Sequence, residues 1–296
     1  MYAPAQLAAL VAVVDGGTFE AAARALHVTP SAVSQRVRAL ESQVGQVLVT
    51  RAAPCRATAS GEVLVALGRQ TALLAAETAQ RLGGRTGVRR AAVAVNADSL
   101  ATWFRAVVAE VARWEDVALE LHVRDQDVTT RLLREGRVLA AVTSDPAPVQ
   151  GCAVRPLGTI RYHPVVARPL LERVGGSPGS RGPAGPAGRV DWSRLPLVHF
   201  DAADALQHDW LAARGHPVPE VVHRVPTTAD LAEAVRCGLG WGMLLDGQLG
   251  DDLEAGRLVR LGPDPVLVPL HWQRWRVDSP LLDDLTTAVL RAASTG

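Results

Sequence analysis

The stretch TFEAAARALHVTPSAVSQRVRALE, Thr18 to Glu41, decides how the front of this chain folds. Phe19, Ala22, Ala23 and Leu26 recur at i, i+3, i+4 and i+7, which places them on one face of a helix, and Thr18 stands where an N-cap is needed. His27-Val28 turns the chain. Thr29-Pro30 restarts it, a hydroxyl cap followed by proline at the first helical position, where the missing N–H costs nothing. In the helix so begun, Val33, Val37, Leu40 and Val44 face inward, while Ser31, Ser34, Gln35 and Arg38 form the opposite stripe. Upstream, Leu7, Leu10, Val11 and Val14 mark one more helix, which stops near Gly16-Gly17. Three short helices, with small Ala22 and Ala23 allowing close approach, predict a helix-turn-helix.

The outward stripe suits a DNA major groove. Gln bonds adenine at two points, Arg bonds guanine or phosphate, and Ser adapts to either. An amphipathic helix with a merely solvated face is the alternative, and the capped restart, the tight turn and the residues that follow weigh against it. Val47-Leu48-Val49 with Arg51, and Arg56-Ala57-Thr58, read as a two-stranded wing that lays Arg on the flanking backbone. The candidate DNA contacts are therefore Thr18, Thr29, Ser31, Ser34, Gln35, Arg36 and Arg38 in the helices, and Arg51, Arg56 and Thr58 in the wing. Ser60 is placed to cap a long helix running to about Leu82. On it Leu64, Leu67, Thr71, Leu74 and Thr78 alternate steps of three and four, a coiled-coil seam that would pair two reading helices on a pseudo-palindromic site. Packing of that helix on its own domain is the competing reading.

Charge divides the chain in the same place. Residues 1–90 carry ten Arg against five acidic residues, and the remainder twenty-one against twenty-five, so a basic front suited to a polyanion precedes an acidic body. With 296 residues the chain suits two or three compact units. No apolar run has the length of a membrane span and the N-terminus lacks a leader pattern, so a cytoplasmic protein with no membrane partner is expected. Cys55, Cys152 and Cys237 are scattered, and the eight His show no metal-ligand spacing, so neither disulfide, metal nor cofactor is expected.

Gly83-Gly84 and residues 85–90 form a polar joint, and beyond it the body alternates strands and helices. AAVAVNADSLATWF is a buried strand running into a helix with Leu100, Phe104, Val107, Val108 and Val111 on its apolar face. A strand at Leu119 to Val123, a helix at Thr130 to Gly136 and a strand at Leu139 to Thr143 complete βαβαβ, hence a parallel sheet. Leu197 to Phe200, Val221 to Val225 and Trp241 to Leu245 repeat the rhythm in a second lobe. Ligands gather beyond the carboxyl ends of parallel strands, so two such lobes predict a ligand cleft. Its candidate residues are Asn96, Asp98, Ser99, Leu100 and Thr102 at the first strand end, Asp127 (with Asp125) at the second, Thr143 and Ser144 at the third, and Asp201 and Asp204 in the second lobe. Acidic strand ends beside a helix start suit a ligand with one carboxylate and extra amino groups. Each Asp taken alone is more often a cap or a turn residue; their shared location carries the expectation.

At this point FEAAARALHVTPSAVSQRVRALE, LVTR and TASGE together resemble the winged helix-turn-helix of LysR-type transcriptional regulators. The resemblance implies that Ser34, Gln35 and Arg38 face DNA from the recognition helix and Arg51 from the wing. Further along, NADSLATWF, VTSDPAPVQGCAVRPLG, GLGWGMLL and HWQRWRVDSPLLDDLT resemble the lysine- and arginine-responsive branch of these regulators, which switches on a basic-amino-acid exporter. It implies an α/β fold in three parts: a winged helix-turn-helix over residues 1–59, a linker and dimerisation helix with its hinge over 60–87, and a two-lobed, periplasmic-binding-protein-like effector domain over 88–296. The implied partners are double-stranded operator DNA, lysine or arginine as effector, further copies in a homodimer or homotetramer, and RNA polymerase.

Other patterns carry less. GSPGSRGPAGPAG, residues 176–188, has collagen-like triplets too few for a triple helix and reads as a surface insertion. Gly238-Leu-Gly-Trp-Gly follows a helix and precedes a strand, the reverse of a dinucleotide loop. Trp272 and Trp275 read as packing a strand against the second lobe. An enzyme using Asp98 and Asp127 as an acid/base pair, or an amino-acid carrier built on the body alone, are the rival functions; no cofactor motif supports the first, and the intact helix-turn-helix opposes the second.

Overall fold

The computed structural model describes residues 1–83, 88–123, 126–178, 187–201 and 204–295, apart from the side chains of 126, 127, 178, 187–189 and 295. The chain divides into two compact units. The first is Met1–Val95, Ala106–Arg155 and His271–Ala292; the second is Asn96–Arg105, Pro156–Leu270 and Ala293–Gly296.

The first unit begins as its apolar spacing predicts. Helix α1 (Pro4–Gly16) starts on proline and ends at Gly17, whose φ of 67° lies in the left-handed region. In α2 (Phe19–Ala25) the Thr18 hydroxyl accepts a hydrogen bond from Ala21 N–H, and in α3 (Pro30–Val44) the Thr29 hydroxyl accepts one from Ala32 N–H. Leu7, Leu10, Val13, Ala22, Ala23, Val33, Val37 and Leu40 close one core; Phe19, Leu26 and Val44 pack against it half-buried, and in α1 Val13 is buried where the spacing expected Val11 and Val14, which are half-buried. Strands β1 (Val49–Thr50) and β2 (Arg56–Ala57) pair antiparallel as the wing.

Helix α4 (Ala59–Arg81) is capped by Thr58, not by Ser60: the Thr58 hydroxyl accepts from Gly61 N–H at 3.1 Å and donates to the Val47 carbonyl at 2.7 Å. Gly61 is required where it stands, because a Cβ there would lie 2.0 Å from the Leu48 carbonyl oxygen. The expected seam also divides. Leu64 joins the core against α1, and Gly68 lets α4 close on Val11 and Leu7. Val63, Leu67 and Leu74 are exposed, and the hydroxyls of Thr71 and Thr78 turn back to the carbonyls of Leu67 and Leu74.

Next come β3 (Arg89–Val95), α5 (Ala97–Ala101), α6 (Phe104–Val111), β4 (Val117–Val123), α7 (Gln126–Arg134) and β5 (Ala140–Thr143). Strand β3 is central and parallel to both β4 and β5. The one helix expected after β3 is broken at Thr102, whose ψ of −109° is not helical; Phe104, Val107 and Val111 are buried, whereas Val108 is 37% exposed. Helix α7 begins at Gln126, four residues before the expected Thr130.

Strand β6 (Cys152–Ala167) spans sixteen residues, among them Pro156, Gly158 and Pro164, and has no apolar run to announce most of its length. It leads into α8 (Arg168–Arg173), β7 (Ser177–Pro178), β8 (Ala187–Arg189), β9 (Leu197–His199), α9 (Leu206–Ala212), β10 (Val222–Arg224), α10 (Thr228–Arg236), β11 (Gly242–Leu245), α11 (Asp246–Leu249) and β12 (Leu258–Arg260). In the second unit β6 pairs antiparallel with β11 and β12, and β9 runs parallel to β10. Leu170, Leu197, Trp210, Val235, Trp241 and Leu244 form its core. Strand β13 (Val266–Trp275) and helix α12 (Pro280–Thr295) close the chain. Trp272 and Trp275 do not pack the second lobe as expected. They belong to the first unit, where Trp272 donates to the Thr286 hydroxyl at 3.1 Å and Trp275 to the Leu133 carbonyl at 3.4 Å, because the end of β13 pairs with β5.

Candidate functional site

Two surfaces carry the residues the sequence singles out, one in each unit. On α3 of the first unit, Ser31, Gln35 and Arg38 are exposed, and Ser34 and Arg36 half-buried. Among the described residues, none of these five side chains makes a hydrogen bond or ion pair within the protein, while the opposite side of α3 is locked into the core. A rigid helix with an unengaged Ser/Gln/Arg stripe matches what base edges require. Thr18 and Thr29, exposed at the starts of α2 and α3, use their oxygens as caps. The wing departs from the sequence reading. Arg51 is exposed yet turned toward its own helices, 3.7 Å from Glu41 and over the Phe19 ring, whereas Arg56 is exposed on β2 with no ion pair among the described residues. Thr58 caps α4, its hydroxyl engaged as donor and acceptor within the protein.

In the second unit the centre is Asp98 on the short α5. Tyr162, from β6, donates its phenol to one carboxylate oxygen at 2.5 Å, and Thr228, the first residue of α10, donates its hydroxyl to the other at 2.9 Å. Burial raises the Asp98 carboxyl above the usual carboxylate range; the two hydroxyls oppose that shift and the nearby Asp204 charge reinforces it. The Tyr162 phenol is pushed up by burial and by the same carboxylate. Around them, Asn96 caps α5 by accepting from Ser99 N–H at 2.8 Å, and Thr102 donates to the Asp98 carbonyl at 2.7 Å. Leu100 is half-buried. Ser99 is fully buried, and its hydroxyl has no partner among the described residues.

Asp201 and Asp204 shape the turn between β9 and α9. Asp201 accepts from Asp204 N–H at 2.9 Å, and Asp204 accepts from Leu206 N–H at 3.1 Å. Each thus plays the turn role expected of an Asp taken singly, and Asp204 still adds its charge to the site of Asp98. Neither Asp98 nor Asp204 makes an ion pair among the described residues. Thr143 and Ser144 belong to the first unit, where the Thr143 hydroxyl accepts from Asp145 N–H. Asp125 and the Asp127 side chain lie outside the described residues. No spacing in the sequence points to Tyr162 or Thr228 as partners of Asp98. Tyr162 sits in the strand that lacks an apolar run, and only the Thr227 to Asp230 capping pattern at the start of α10 was there to find. Among the described residues no cluster of His, Cys, Asp or Glu could hold a metal ion.

A capped helix-turn-helix with an open polar stripe, followed by α/β units in which Asp98 and Asp204 make no ion pair among the described residues, has the parts of a ligand-responsive DNA-binding regulator. Residues 4–62 match the model of the bacterial regulatory helix-turn-helix protein, lysR family, and residues 89–293 match the LysR substrate binding domain. The chain belongs to the LysR family of transcriptional regulators, which bind DNA and are not enzymes. It is 46% identical to the lysine export transcriptional regulatory protein LysG of Corynebacterium efficiens, over 99% of this chain and 98% of that one. Full-length LysG from Corynebacterium glutamicum with bound effector Arg superposes with a TM-score of 0.85 at 42% identity, covering 99% of both chains. ArgP from Mycobacterium tuberculosis gives 0.86 at 44% identity, over 99% of this chain and 98% of that one. No single helix among the described residues is long and apolar enough to cross a membrane.

Proposed function

We propose that this protein senses lysine or arginine and controls transcription of an amino-acid exporter or related gene. Residues 1–59 read DNA, 60–87 link and dimerise, and 88–296 take the effector. The observation that carries the reading is Asp98, a half-buried carboxyl held by two hydroxyls, reinforced in charge by Asp204, and lacking a cationic partner among the described residues. A carboxylate so placed suits the ammonium or guanidinium of a basic amino acid, because a buried charge is stable only when paired and hydrogen-bonded. The orphan Ser99 hydroxyl supplies a further polar contact. The related LysG structure holds Arg as its effector at 42% identity, which supports the same ligand class here.

The exposed Val63, Leu67 and Leu74 of α4 support a dimer, as does an apolar groove of about 690 Å³ lined by Leu7, Val11, Leu26 and Ala72. Two reading heads so joined would address a two-fold operator. Thermal melting of the whole chain against the twenty amino acids tests the effector reading. Lysine or arginine at a hundred times its dissociation constant should add about 2.7 kcal/mol of stability. A rise with neither, or an equal rise with neutral amino acids, overturns the basic-amino-acid assignment.

A further inference from the structure

We propose that Arg69 is a positioning residue that ties the DNA-reading helices to the first-unit sheet layer, so that α4 acts as a strut between them; the regulatory consequence rests on the function proposed above. Arg69 lies midway along α4 with its side chain only 16% exposed. One guanidinium N–H donates to the carboxylate of Asp15, near the end of α1, and another donates to the carbonyl of Glu135, just past α7, at 2.6 Å. A single planar fork thereby joins a helix of the DNA-reading core to a helix packed against β5 and β3. The Glu135 carbonyl belongs to a helix end, where carbonyls lack intrahelical donors and accept an outside cation readily. Its own carboxylate is turned to Arg131, so the backbone rather than the side chain makes the tie.

The surrounding fit has the same sense. Gly136 has a φ of 67°, and a Cβ there would come within 2.9 Å of the Ala66 Cα and 3.0 Å of the Trp275 ring, so α4 runs flush against the end of α7. Two turns further, Glu77 is 4% exposed and accepts from the Ser279 hydroxyl at 2.7 Å and from Leu281 N–H at 3.3 Å, at the start of α12. Its second oxygen is buried without a partner among the described residues. Helix α4 is thus fastened to α7 and α12 at Arg69 and Glu77. Arg69 adds a charged tie to α1, which packs on α2 and α3 and, at Leu64 and Gly68, on α4 itself. A displacement of α7 must then drag Asp15 and α1, or break the charged hydrogen bonds that Arg69 makes.

The test uses the full chain, an operator fragment selected with it, and L-arginine and L-lysine as probes. In the unaltered chain the effector changes operator affinity by about 5–150-fold, the usual range of such coupling. In Arg69→Gln that ratio should collapse toward one, while arginine affinity without DNA and operator affinity without arginine are retained. A variant that melts lower but keeps the full ratio shows a merely structural Arg69 and overturns the proposal. If Arg69→Gln fails to fold, Asp15→Ala, at the exposed end of the same bridge, carries the same expectation. A second arm does not depend on the effector: operator binding should slow amide hydrogen exchange over Arg131 to Leu139 in the unaltered chain and not in the variant. Equal slowing in both, or in neither, overturns the strut. If neither amino acid moves operator affinity in the unaltered chain, the effector reading fails and the exchange arm alone decides.

Discussion

The DNA-reading helices and the second unit treat polar side chains in opposite ways. Through residues 1–58 no buried side chain is polar or charged, apart from the thiol of Cys55, and the polar stripe of α3 faces outward. In the second unit Ser99, His199 and Gln207 are buried, each with a side-chain atom lacking a partner among the described residues, and the half-buried Asp98 carboxyl is held by two hydroxyls. The first arrangement spends nothing on desolvation and presents rigid chemistry to a large external partner. The second keeps an internal acidic group that only a bound cation would fully compensate.

Several substitutions would break or sharpen that contrast. The largest effect is expected at Leu40→Ala, which empties the wholly buried heart of the reading helices and should cost about 2–5 kcal/mol in chemical denaturation. Asp98→Asn should act in the opposite sense on the other side. The stabilisation by arginine, about 2.7 kcal/mol at a hundred times the dissociation constant, should disappear. Stability without ligand should hold or rise. The sign follows from the raised carboxyl: its folded pKa exceeds the unfolded one, so stability is lost as pH rises through the folded value. Melting curves should show Asp98→Asn gaining on the unaltered chain as pH climbs above the carboxylate range, and a constant gap would contradict the burial argument.

Replacing Gln35 or Arg38 by Ala should weaken operator binding by about 1–3 kcal/mol and relax base preference if the residue reads a base, or weaken all sequences alike and flatten the salt slope if it meets phosphate. Unchanged operator affinity in both would remove α3 from the reading role. The smallest effect falls to Thr58→Ala, which loses a helix cap and should cost about 0.5–2 kcal/mol of stability with base preference unaltered.

What could be read in the sequence follows the same division. Helices α1 to α3 rest on spacings of three and four, and α2 and α3 also on threonine caps that reach N–H groups three residues away, and such local signals survive folding. The site around Asp98 could be read only in part. Asn96, Asp98, Asp201 and Asp204 stand at strand or helix ends and announce themselves, whereas Tyr162 and Thr228 reach Asp98 from 64 and 130 residues away. No periodicity encodes a contact of that separation. The α4 seam divides for a related reason: Leu64 and Leu67 look alike as letters, and only the position of α1 buries the first and leaves the second exposed. The wing Arg51 likewise finds Glu41 and Phe19 once the helices are packed.

The central claim is that a cation-binding acidic site and an outward reading helix belong to one thermodynamic device. Isothermal titration of the full chain with L-arginine, in the presence and absence of saturating operator, tests it most directly. Linkage requires operator DNA to change arginine affinity by the same factor as arginine changes operator affinity, about 5–150-fold for coupling of ordinary size. Identical arginine affinity under both conditions would contradict the account.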